Sequence, residues 1–150
     1  MMRKKPMLAY PVSDKPIDYT KPTFIQPKLD GVRCLIQYER RTQPREDVVV
    51  AYSRTGKVWQ NIDHILSSLR PFFQKYPDVI LDGELYNHDL KHDFEKIISL
   101  VRKQKPTEYD RSEAANLVQY HVYDTVFLHN KLRYEYRYNW LRNQHLLLRP

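Results

Sequence analysis

The densest chemistry in the sequence lies in Pro27-Lys28-Leu29-Asp30-Gly31-Val32-Arg33, which sets a primary amine, a carboxylate, a glycine and a guanidinium around what reads as one tight turn. An amine attacks only when neutral, so a lysine whose ordinary pKa is about 10.4 must have it lowered by burial or by positive charge close by. Arg33 and neighbouring cations are the groups that can do this. Taken alone, the same residues also describe a solvated surface hairpin. Three later segments add functional groups: Ser53-Arg54-Thr55-Gly56 a hydroxyl and a guanidinium, Leu81-Asp82-Gly83-Glu84-Leu85 two carboxylates, and Val122-Tyr123-Asp124 an aromatic ring beside an acid. Each has a plainer reading, as strand-surface carboxylates, a core tyrosine or a solvated basic face. His64, His88, His92 and His121 have no zinc-like spacing and read as surface or core histidines.

The elements that must position these groups follow from periodicity. Thr23 to Lys28 and Arg33 to Tyr38 favour strands, and Asp30-Gly31 between them suits a hairpin turn, which would leave Lys28 at a strand end. Residues 47–53 form another strand, closed by the Thr55-Gly56 turn. Ile62, Ile65, Leu66 and Leu69 recur at helical spacing, as do Phe94, Ile97, Ile98 and Val101, with Pro77 and Pro106 beyond them as stops. Residues 79–86 are a strand carrying Asp82 and Glu84. The run 117–127 is another, whose alternation puts Val118, Tyr120, Val122, Asp124 and Val126 on one face and Gln119, His121, Tyr123 and Thr125 on the other. A last helix is expected from about Arg133 to Leu148. Strands joined by short connections and mixed with helices give an antiparallel-rich α+β class, distinct from a doubly wound sheet.

At 150 residues the chain reads as one domain with enough length to bury a core. Residues 1–22 hold four of the ten prolines and read as an irregular leader, so the compact part begins near Thr23. A formal charge of +7 favours a polyanionic partner, nucleic acid first, because basic side chains that neutralise phosphates release condensed counterions. The single cysteine, Cys34, excludes an internal disulfide and falls in an apolar run, where it reads as a buried small hydrophobe. With neither a membrane-length apolar run nor a secretory leader in the sequence, the expected setting is intracellular: cytoplasm, host-cell cytoplasm or nucleus.

Taken together and in order, these segments resemble the covalent nucleotidyltransferases, and most of all the ATP-dependent DNA ligases. Lys28-x-Asp30-Gly31-x-Arg33 is similar to their first motif, SRTG at 53–56 to the segment set against a nick phosphate, LDGEL at 81–85 to the third motif, and VYD at 122–124 to the aromatic-plus-acid motif. Lys5-Pro6-Met7-Leu8-Ala9 is similar to a common ligase start. The resemblance implies an ATP-grasp-like adenylation domain, here its N-terminal portion over residues 23–150 and incomplete at the C-terminus.

It further implies that Lys28 attacks the α-phosphate of ATP to form lysyl-AMP, which is passed to the 5′-phosphate of a nick in double-stranded DNA. Gln26, Arg33, Glu84 and Tyr123 would bind the nucleotide, with Arg33 and Glu84 on the ribose and Tyr123 stacked on adenine. Ser53 and Arg54 would hold the nick phosphate, and Asp30 and Glu84 would assist Mg²⁺. A monomer serving DNA repair, replication or recombination, by analogy a phage or viral enzyme, completes that picture. RNA ligases and capping guanylyltransferases share KxDGxR, and an inactive nucleic-acid-binding remnant is the reading from another class. Two downstream family motifs, an EG-type strand and a KxK pair, have no counterpart here. Lys103-Gln-Lys105 comes too early and reads as positive charge at a helix C-terminus.

Overall fold

The computed structural model describes residues 2–42 and 45–144. Four strands, β1 (Val32–Thr42), β2 (Arg45–Tyr52), β3 (Val79–Tyr86) and β4 (Gln119–Phe127), form one sheet in the order β2-β1-β3-β4, antiparallel throughout. The helices are α1 (Asp63–Lys75), α2 (Phe94–Val101), α3 (Glu108–Leu117) and α4 (Tyr134–Asn143), with a short 3-10 turn at His88–Leu90. The α+β, antiparallel class read from the sequence is the observed one.

Alternation sends Val32, Cys34 and Ile36 of β1 and Leu81 and Leu85 of β3 to one face, where they meet Ile65, Leu69 and Phe73 of α1, Ile97, Leu100 and Val101 of α2 and Ala114 of α3. Cys34 is fully buried there, and burial pushes its thiol pKa up. The opposite face carries Arg33, Leu35 and Gln37 of β1 beside Asp82 and Glu84 of β3. Leader residues lie across this face: the Arg3 N–H donates to Gln37 Oε1 at 3.0 Å, and the Met7 carbonyl accepts from Arg33 Nη1 at 3.0 Å.

Three expectations are corrected. Residues 22–30 contain no strand, so Asp30-Gly31 is not a hairpin turn and Lys28 does not end a strand. Where a hairpin would need it, β1 has both ladder sides taken, Leu35 pairing with Tyr52 on one side and Asp82 on the other. Second, residues 108–117 form a helix, so the strand begins at Gln119. Its start is a capping box, with the Thr107 side chain accepting from the Asp110 N–H and the Asp110 carboxylate accepting from the Thr107 N–H. Lys103 stands just past the C-terminus of α2, its N–H donating to the Leu100 carbonyl at 3.4 Å, and turns its ammonium to Asp110 at 2.7 Å.

Third, the simple alternation on β4 fails at a β-bulge. Asp82 pairs with Asp124 but Gly83 pairs with Val122, leaving Tyr123 as the extra residue. Beyond it the faces exchange: Asp124 joins Asp82, while Thr125 turns inward, fully buried, its hydroxyl donating to the Ile80 carbonyl at 3.1 Å. The bulge needs Gly83 opposite, because a Cβ there would stand 2.4 Å from the His121 carbonyl oxygen. The last helix ends at Asn143, and the expected stretch to 148 lies partly outside the described residues.

Candidate nucleotide site

The polar face of β1, β3 and the bulge of β4 gathers Arg33, Asp82, Glu84 and Tyr123. Arg33 pairs across the ladder with Glu84, yet its guanidinium turns to Asp82, one ladder step away, donating from Nε at 2.9 Å and from Nη2 at 2.6 Å. This fork-to-carboxylate geometry is the strong form of ion pair. Burial pushes the Asp82 carboxyl up from its ordinary range and Arg33 works against that shift; the same pair holds Arg33 protonated. Glu84 is also pushed up by burial, opposed by Arg33, by the Gly31 N–H and by the Tyr123 hydroxyl, which donates to it at 3.5 Å. The Tyr123 phenol is raised, first by burial and then by the Asp82 and Glu84 charges. Its ring lies 5.8 Å from the Arg33 guanidinium carbon, within cation–π range.

Gly31 seals the floor. A Cβ at this position would meet the Leu85 carbonyl oxygen at 2.3 Å and Glu84 Cγ at 2.8 Å, so only glycine lets the incoming chain pass so close to β3. Upstream of it, Gln26 Nε2 donates to the Tyr123 carbonyl at 3.3 Å. Lys28 is 90% exposed and its ammonium faces Asp30 Oδ1 at 3.3 Å. Arg33, the cation expected beside it, is turned to Asp82, and the partner Lys28 has among the described residues is an anion. Of the residues predicted for the nucleotide, Arg33, Glu84 and Tyr123 therefore converge and Gln26 joins them through the Tyr123 backbone, while Lys28 is exposed beside Asp30, a residue predicted for the metal.

Ser53 and Arg54 lie apart, on the turn after β2. Ser53 is buried, its Oγ accepting the Lys57 N–H at 3.0 Å and the Thr55 N–H at 3.3 Å, so its hydroxyl shapes the turn, while Arg54 is exposed. Gly56 closes the turn at a φ of +91°, a conformation that favours glycine. Asp82, the chief partner of Arg33, was visible in the sequence only as a strand carboxylate; its i, i+2 spacing from Glu84 is the signal that puts both on one face. Asp124 was likewise seen without its partner, Arg137 of α4, which grips it at 2.8 and 3.1 Å.

A four-stranded antiparallel sheet with α1, α2 and α3 on one face and an Arg–Asp–Glu–Tyr cluster on the other defines the class. Residues 6–145 match the ATP dependent DNA ligase domain, and the chain belongs to that family. Among solved structures it is similar to the chain named Pmar-Lig_PreS3, with a TM-score of 0.56 and 24% identity over 81% of this chain, a likeness of fold. This chain spans 27% of that one's length. Among curated proteins none matches it at a significant level.

Proposed function

We propose that this chain carries the nucleotide-attachment half of an ATP-dependent DNA ligase, with Lys28 as the nucleophile. The observation that carries the reading is the convergence of Arg33, Glu84 and Tyr123 on one sheet face, with Lys28 on the segment that enters it past Gly31. The Lys28 Nζ, once deprotonated, attacks the α-phosphorus of ATP. The new bond is P–N, the broken one is the P–O bond to pyrophosphate, and the product is a phosphoramidate that stores the activated AMP. Tyr123 offers a ring face for the adenine, and Glu84 accepts from ribose hydroxyls. Arg33 keeps Glu84 and Asp82 from crowding the site with uncompensated charge. The second step passes AMP to the 5′-phosphate of a nick in duplex DNA, toward which the basic chain, with Arg54 exposed, is suited.

Among the described residues no group of three or more His, Cys, Asp or Glu forms a cage for a metal. Mg²⁺ asks for less, typically one or two carboxylates with substrate phosphates and water. Asp30, exposed beside Lys28, and Glu84 fit that sparse demand. The ion would supply charge neutralisation at the phosphate oxygens. In the free chain the Lys28 ammonium is paired with the Asp30 carboxylate.

Incubation of the chain with Mg²⁺ and α-labelled ATP, beside Lys28→Ala, tests the reading through label that survives denaturation. Label in the native chain that is lost in the variant supports it. Label from GTP in place of ATP would transfer the chain to capping chemistry, and label that persists in Lys28→Ala would remove Lys28 as nucleophile.

A further inference from the structure

The segment that bears Lys28 has no ladder to hold it. Residues 22–30 adopt no regular structure, yet a nucleophile must be held to within about an ångström, since a misplacement of that size can cost roughly 10²-fold in rate. What holds this segment is α4. The Phe24 ring meets Tyr134 edge-on at 5.1 Å and Tyr138 at 6.2 Å. Two residues on, Gln26 Nε2 reaches the Tyr123 carbonyl at 3.3 Å, and the Tyr134 hydroxyl donates to that same carbonyl at 3.4 Å. The bulge makes this carbonyl a shared acceptor for the segment and the helix. α4 is itself fastened to β4 by the two-pronged Arg137–Asp124 pair, whose guanidinium also lies 5.4 Å from the Tyr134 ring. A third donor, Arg137 Nη1, closes the loop before the helix on the Leu132 carbonyl at 2.6 Å.

We propose that α4 is a positioning clamp for the lysine-bearing segment, with Phe24, Tyr134 and Arg137 as positioning residues. The proposal rests on Lys28 being the nucleophile. None of the three touches Arg33 or Glu84 through the contacts described above, and Tyr134 meets Tyr123 at its backbone carbonyl and not at the ring offered to adenine, so the clamp acts on where the amine sits and leaves nucleotide affinity alone. Its footing is narrow: Phe24 remains half exposed, and its loss opens no core cavity.

The test compares Phe24→Ala, the conservative Phe24→Tyr and Tyr134→Phe with the native chain in two measurements. The first is brief trypsin digestion, reading cleavage after Lys28 against cleavage after Arg54 in the distant turn. The second is the single-turnover rate of AMP attachment at saturating ATP, with the half-saturating ATP concentration measured alongside. Phe24→Ala should raise the Lys28-to-Arg54 cleavage ratio and slow attachment about tenfold, a fraction of the penalty for a full ångström's displacement. The half-saturating concentration should hold, Phe24→Tyr should behave as native, and Tyr134→Phe should fall between. An unchanged cleavage ratio, an unchanged rate, or rate and half-saturation moving together would each overturn the clamp. If the native chain takes no label, the reading of Lys28 fails, and the cleavage ratio alone passes or overturns the clamp.

Discussion

Replacing Gly83 by alanine probes the feature on which the site's geometry turns. The added Cβ would stand 2.4 Å from the His121 carbonyl oxygen and 2.8 Å from Tyr120 Cε2, against ordinary contact at 3.4 Å and beyond. The carbonyl belongs to the β4 backbone, which is paired to β3 along its whole length, and Tyr120 is buried with its hydroxyl donating to the Cys34 carbonyl at 2.9 Å. Neither neighbour can swing aside as the end of a flexible side chain would. Overpacking a tight interior costs about 1–3 kcal/mol, and a clash against backbone falls at the upper end, about 3 kcal/mol. Gly56→Ala is the internal comparison. Its Cβ meets only Met2 Cε at 3.8 Å, so the penalty is the left-handed backbone alone, about 1–2 kcal/mol. Urea unfolding followed by Trp59 and Trp140 fluorescence, with slopes compared, measures both. The reasoning is refuted if Gly83→Ala stays within about 0.5 kcal/mol of the native chain, the range of an innocuous surface change. It is equally refuted if Gly56→Ala is the more damaging of the two.

Two further outcomes follow from contacts already described. Ser53→Ala removes the acceptor of the Lys57 and Thr55 N–H groups, and should lower stability by about 1–2 kcal/mol in the absence of any DNA; an unchanged urea midpoint would show that the hydroxyl does not shape the turn. The Asp110 carboxyl is held down to about 2 by Lys103 and by the Thr107 N–H, from an ordinary 3.8. A group whose folded pKa is depressed stabilises fully above its unfolded value and loses that contribution as pH falls through the folded one. The stability gap between the native chain and Asp110→Asn should therefore shrink from pH 3.8 down to about 2, and a gap constant across that window would contradict the assignment.

Where sequence reading succeeded, a single physical rule was at work on an element. The strand at 79–86 is an unbroken buried run and the helices around Ile65 and Ile97 each bury one regular stripe, and all three appear as expected. Arg33, Glu84 and Tyr123 were legible through family resemblance, and their convergence needed coordinates. The failures share a cause: tertiary context that periodicity does not encode. Residues 23–28 have strand-like composition, but β1 had two partners already. Thr107-x-x-Asp110 is a capping box at the head of a helix whose apolar stripe is weak, and periodicity marks the apolar strand after it far more strongly than the helix itself. The cationic neighbour expected for Lys28 was misplaced because spacing alone does not say that Arg33 turns to Asp82.

The bulge at Tyr123 also decides what a change in residue count does to β4. A strand with strict two-residue alternation has parity, and one inserted residue inverts it for everything downstream. Here the extra residue is Tyr123, and beyond it Asp124 faces Arg137 and Thr125 faces the Ile80 carbonyl. Deleting Tyr123 alone would restore regular pairing with Asp124 still opposite Asp82 and Thr125 still opposite Leu81, so both faces would survive and only the ring beside Arg33 would be lost. A relative one residue shorter at this point should therefore keep both faces of the strand and lack the ring.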